Sequence, residues 1–200
     1  MFTFLDTRDW FFDLKWHVRG DMGDDEHRFA KVDVSLLKSR WSEKISEEEG
    51  SALTNMIRLL NTECRKDNPN RPLQLDLRGI LLLNEDLSDL DLSGYDFSYA
   101  NLNSSKLTRT VFSYATFHRA SLEQSILDEC EFIGSDLTYA SLNECSAKRC
   151  GFGGADLSHT SIISANLSGA TFSRSKLVSA DLRASNFEKA KDLVQMIAHA

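Results

Sequence analysis

Between residues 77 and 187, large apolar side chains recur at every fifth position, from Leu77, Leu82 and Leu87 through to Leu177, Leu182 and Phe187. Of the twenty-three positions in this frame only Ala147 is not Leu, Phe or Ile, and all seven Phe of the region fall on it. Two residues before each centre, the nineteen positions from Ala100 to Ala190 hold only Ala, Ser, Thr or Cys. No insertion or deletion breaks the frame. A period of five fits neither the 3.6 of a helix nor the 2.0 of a strand, so neither element runs through the segment. The pattern requires a chain that turns a corner every five residues. Four such sides close a square coil of about 20 residues, with the large centre and the small residue before it both pointing inward. Stacked at a β-like ~4.8 Å, residues 75–190 predict nearly six coils and a rod roughly 28 Å long.

The units Ala100-Asn101-Leu102, Ala155-Asp156-Leu157, Ala165-Asn166-Leu167 and Ala180-Asp181-Leu182 resemble the Ala-(Asp/Asn)-Leu-x-x signature of the pentapeptide-repeat family. The resemblance implies a mainly β fold, a right-handed quadrilateral β-helix. It implies less about function, because the family includes topoisomerase-binding DNA mimics, secreted effectors and members of other roles. The first coil departs from the signature, with Leu75, Ile80, Glu85, Leu90 and Tyr95 where small residues belong. A coil built this way is expected to be widened or covered by what precedes it.

What precedes it has a different period. Ser46 and Glu49 read as a capping box, and Leu53, Met56, Ile57, Leu60 and Cys64 then recur at helical spacing until Asn68-Pro69. The spacing predicts an amphipathic helix from Glu47 to Lys66, laid over the open coil with Leu81 and Leu83 as its docking surface. Further upstream, Thr7–Val18 suggests a helix and the stretch after Phe29 a short strand. A short C-terminal helix is expected from Lys189 to Ala198, able to cap the far end or to meet a second copy as a homodimer. The chain thus divides into a mainly helical capping region (1–72), the repeat β-helix (73–188) and the terminal helix (189–200).

Composition narrows the functional classes. Net charge is -7, and 15 acids stand against 10 bases between residues 74 and 190, which disfavours direct nucleic-acid binding. No run of apolar residues is long enough for a membrane span, and the acid-containing N-terminus is unlike a signal peptide, so a cytoplasmic location is expected. The His residues fall in no metal or triad motif and no glycine-rich phosphate loop occurs, so neither catalysis nor a cofactor is expected. Gly134, Gly153 and Gly154 read as turn glycines. Cys130, Cys145 and Cys150 occupy the small inward position and read as compact fillers. Cys130 and Cys150 stack one coil apart, within disulfide reach, but are expected to be thiols.

Stacking modulo 20 sorts the outward residues into columns. Asp89, Arg109, Glu129 and Arg149 alternate in sign, with Asp128 beside Lys148, a ladder of mutual support. A second column reads Asp76, Asp96, Thr116, Asp136, Asp156, flanked on the same side by Tyr99, Arg119, Tyr139 and His159. Asp before a centre can bond turn amides locally. The same side also has the aromatic and polar mixture that interfaces favour. It is therefore the candidate partner-binding face. Two functions follow: a noncatalytic protein-interaction rod, or a DNA mimic that enters a type II topoisomerase such as DNA gyrase.

Overall fold

A computed structural model describes residues 76–193 together with Thr54, Asn55, Ile57, Arg58 and Asn61 upstream. Residues 76–191 wind as a square coil. Twenty parallel bridges tie the turns together, each linking residues 20 apart, from Asp76 with Asp96 to Thr171 with Lys191. The ladder is continuous: Leu77 N–H donates to Asp96 C=O at 2.8 Å, and Asn101 N–H to Ile80 C=O at 2.8 Å. Along each side, backbone bonds thus run both to the coil above and to the coil below.

Each corner is a turn with positive φ two residues after the centre, most of them closed by a bond such as Ile80 N–H to Leu77 C=O (3.1 Å). Positive φ at only the second central residue defines a type II turn, which ordinarily calls for Gly or Asn there. Here Tyr, Arg, Gln, Glu and His also occupy the position, as at Tyr99 (φ 61°) and Arg119 (φ 56°). Stacking holds them, since neighbouring coils fix the corner on both sides.

The four sides carry the core. Side one is centred on Leu77, Phe97, Phe117, Leu137, Leu157 and Leu177, and sides two, three and four follow at steps of five. On side four, Phe112, Phe132, Phe152 and Phe172 stack face to face at 5.1, 5.4 and 5.2 Å, above buried Leu92. Phe97 and Phe117 stack at 5.0 Å on side one, and Phe117 meets Phe112 edge-on at 5.0 Å. The inward hydroxyls and thiols are satisfied as well as small: Thr110 donates to Leu87 C=O (2.8 Å) and Thr160 to Leu137 C=O (2.7 Å). That is why Ser, Thr and Cys alternate freely with Ala at this site.

Cys130 and Cys150 follow the same rule, donating to Leu107 C=O and Leu127 C=O at 2.7 and 3.2 Å. All three rod cysteines are buried free thiols. Burial pushes the Cys145 thiol up to about 12 and raises that of Cys150 well above its ordinary value. They are fillers rather than nucleophiles.

At the N-terminal end Thr54, Asn55, Ile57, Arg58 and Asn61 are helical, and Ile57 is wholly buried in the rod's core. Thr54 donates to the Glu85 carboxylate at 2.7 Å, and Arg58 to the carbonyls of Asp86 (2.6 Å) and Ser88 (3.4 Å). The departure at Glu85 is thus an attachment point for the helix. Of the two expected docking residues Leu83 remains 46% exposed, and the bonds among the described residues run instead to Glu85, Asp86 and Ser88. Leu53, Leu60, Leu75 and the upstream helix and strand lie outside the described residues.

At the other end the square coil continues through Lys191, which bridges Thr171. Residues 189–191 are therefore coil, because Ala190 N–H still closes a turn onto Phe187 C=O at 2.9 Å. The remainder of the expected terminal helix, past Leu193, lies outside the described residues. No helix among the described residues is long and apolar enough to cross a membrane.

Candidate partner-binding face

Side one holds all eight candidate residues. Asp76, Asp96, Thr116, Asp136 and Asp156 form one bridged column that ends on Lys176. Tyr99, Arg119, Tyr139 and His159 occupy the corner positions of the same side, with φ between 56° and 61°. The coil frame therefore fixes two parallel strips along the rod, one acidic and one largely aromatic.

The acidic strip is engaged locally. Asp96 accepts from Ser98 N–H (3.0 Å) and Oγ (2.5 Å), and Asp136 from Thr138 N–H (2.9 Å) and Oγ1 (2.7 Å). Asp76 pairs with Arg78 at 2.7 Å and Asp156 with Lys176 at 3.1 Å. Burial pushes the Asp156 carboxyl up, but bonds from Ser158 and Lys176 outweigh it and hold the group below its ordinary range. Asp before the centre is therefore first a turn-bonding residue, and Asp76 and Asp156 each pair with a cation as well.

The aromatic strip is held by a residue that sequence reasoning missed. His118, only 9% exposed, lies between the strips and meets Tyr99 and Tyr139 edge-on at 5.8 and 5.7 Å. Its Nδ1 lies 2.8 Å from Thr138 Oγ1, whose proton is directed to Asp136. Nδ1 is consequently the protonated nitrogen, and His118 donates. Burial lowers its pKa against the pull of Asp136. The modulo-20 sorting could have found it, since the column Ser98, His118, Thr138 lies directly between the two strips.

Tyr139 is the centre of the strip. It stacks on His159 at 4.6 Å and 11° on one side, and the Arg119 guanidinium lies 5.2 Å from its ring centroid. It is still 48% exposed. The rings are ordered before any partner arrives, and the guanidinium carries the strip's positive charge beside the acids.

On side three the charge ladder forms as expected. Arg109 pairs with Asp89 at 2.7 Å, Lys148 with Asp128 at 3.6 Å, and Arg149 with Glu129. Lys106 joins Asp86 at 3.4 Å, and Arg58 of the helix reaches the same carboxylate at 3.5 Å. Among the described residues no group of His, Cys, Asp and Glu could hold a metal ion.

The pentapeptide-repeat family model, described as "Pentapeptide repeats", matches in eight copies over residues 86–124, 115–152 and 150–188, together just over half of the chain. A pentapeptide repeat protein of the Arabidopsis thaliana thylakoid lumen is 23% identical over 54% of this chain and 65% of its own, with a TM-score of 0.30. HetL, involved in heterocyst differentiation regulation in the cyanobacterium Nostoc, is 18% identical over 64% and 92%, with a TM-score of 0.24. QnrB1, a plasmid-mediated fluoroquinolone resistance protein, is 15% identical in a trypsin-treated form over 60% and 76%, with a TM-score of 0.26. This chain thus spans just under two thirds of the Arabidopsis protein. No curated protein matches it in sequence. The unbroken five-residue frame, its twenty bridges and the family match agree that this chain belongs to the pentapeptide-repeat family.

Proposed function

We propose that the rod is a noncatalytic interaction module that presents side one to a protein partner. One observation carries this reading: Tyr139 is half exposed yet fixed between Arg119 and His159. An anchor ordered in advance loses little side-chain entropy on binding, and Tyr and Arg are the residue types that dominate interface energetics. Asp96 and Asp136 supply charge at its border. Side three pairs its charges across coils and, among the described residues, exposes Ile126 but no stacked ring.

The competing reading is a DNA mimic directed at a type II topoisomerase. It needs a row of negative charge to stand in for phosphates, and pairing of Asp76 with Arg78 and of Asp156 with Lys176 weakens that row. The test compares two variants in binding to a partner captured by the intact protein and identified. Tyr99→Ala with Tyr139→Ala abolishes binding if the aromatic strip is the anchor, whereas Asp96→Asn, Asp136→Asn and Asp156→Asn together leave most of it. The reverse result, with a flatter salt dependence and an effect of the unmodified protein on gyrase supercoiling, establishes the mimic instead.

A further inference from the structure

The two ends of the rod present opposite halves of the peptide hydrogen bond. Inside it, the N–H of each centre and the N–H two residues on donate to the following coil, as Leu157 does to Lys176 C=O (2.7 Å) and His159 to Val178 C=O (2.8 Å). The first coil is therefore left with carbonyls and the last with N–H groups. At the first coil the helix meets that need on side three: Arg58 donates to Asp86 C=O at 2.6 Å and to Ser88 C=O at 3.4 Å, in the place of the two N–H groups of a preceding coil. At the last coil the N–H groups of Leu177, Ser179, Leu182, Ala184 and Phe187 have no partner among the described residues. The core beside them is open too, with Leu177, Leu182 and Phe187 half-buried and Val178 45% exposed.

The way the chain leaves the rod identifies what covers this face. Asp192 stands where the five-residue frame sets a large centre, and its φ is 63°, a value found elsewhere on the rod two residues after a centre. Arg174 N–H, which the frame would pair with Leu193 C=O, makes no such bond. The coil therefore ends at Asp192. The chain turns there toward the core, because Leu193 is half-buried and packed against it. Val194, Met196 and Ile197 follow directly in the sequence. A second copy set end to end on this face matches it less well. Each side offers two open N–H groups for one open C=O, such as that of Ala180 or Ser185, so two like faces leave donors unmatched, which is costly when buried.

We infer that the residues directly after Leu193 fold across the C-terminal face as its cap, with Val194, Met196 and Ile197 set on Leu177, Leu182 and Phe187 and with backbone carbonyls of the segment accepting from the open N–H row. The two ends are then closed by different chemistry, a guanidinium over carbonyls at one and carbonyls over N–H groups at the other. The cap also shields a strand edge that an extended segment of another chain would otherwise join.

Amide hydrogen exchange of the full chain, resolved by residue, tests it. Protection is expected at Leu177, Leu182 and Phe187. Val194→Glu with Ile197→Glu should speed exchange there roughly tenfold or more, while Phe132 and Leu137 in mid-rod and the far-UV circular dichroism keep their values. Removal of residues 194–200 should give the same local change, with association that rises with concentration in sedimentation equilibrium. Exchange at the three amides that is already fast in the unmodified chain overturns the inference. A shortened rod that stays monomeric and as protected as the full chain does so too. So does an unmodified chain that is a dimer and becomes monomeric in either variant, which assigns the segment to pairing between copies.

Discussion

At the N-terminal end of the rod Leu77, Ile80 and Leu82 are buried as deeply as the stacked phenylalanines of the middle, whereas at the C-terminal end Leu177, Leu182 and Phe187 are only partly buried. The residues are of the same kind and in the same frame. What differs is the layer beyond them: Ile57 seals the first coil, with Thr54 and Arg58 bonded to its rim. A solenoid coil is therefore completed by its neighbours, and a terminal coil has one neighbour fewer unless another element supplies it.

The largest expected effect sharpens the contrast between middle and end. Phe132→Ala opens a cavity between two stacked rings and is expected to cost about 3–5 kcal/mol in denaturant unfolding. Phe187→Ala removes a ring that is already part-solvated, and about 1–2 kcal/mol is expected. Equal losses at the two sites would break the comparison. Next comes the cap. Ile57→Ala is expected to cost about 2–4 kcal/mol. Amide exchange should then accelerate at Ile80 and Leu82 first and leave Phe132 protected. Removal of residues 1–68 exposes the same coil and should make the rod aggregate, so a soluble, equally stable fragment would show that the seal is dispensable.

A smaller effect reports on side one. Because burial depresses the pKa of His118, protonation is resisted in the folded state, and stability present above pH 6.5 is lost as pH falls through the lower folded value. Among the described residues Asp136, Arg119 and Asp96 are charged groups that act on this imidazole. His118→Gln should flatten that loss in urea midpoints measured from neutral to mildly acidic pH. An unchanged slope would mean that another group titrates. The smallest effect belongs to side three. Arg149→Ala breaks an exposed pair with Glu129 and should shift the urea midpoint least of all, with the difference vanishing in high salt.

The coil, its frame and its core were legible because one requirement, a large residue inward at each side, repeats from Leu77 to Phe187 with Ala147 as its single exception. The phenylalanine column and the side-three ladder follow from the same modulo-20 sorting. The cap was legible in outline, since Glu85 is out of place in any isolated coil, but the identity of its donor, Thr54, depends on how the helix is rotated, which periodicity leaves open. His118 was passed over because a single His in a linear motif search has no partners, and its ring contacts arise only across coils. Of the three glycines read as turn residues, Gly134 and Gly154 do occupy positive-φ corners, whereas Gly153 does not.

A chain with so regular a repeat faces a threading problem. Slipping one coil by a whole side, five residues, would keep nearly every large residue inward and most of the ladder bonded, so the hydrophobic pattern alone discriminates weakly against it. The irregular features are what such a slip forfeits. Glu85 would leave Thr54, Arg109 would leave Asp89, Lys148 would leave Asp128, and each stacked phenylalanine of side four would face a neighbour of another shape. The residues that depart from the repeat thus act as index marks, and replacing them with consensus residues is expected to yield a rod with several interchangeable registers.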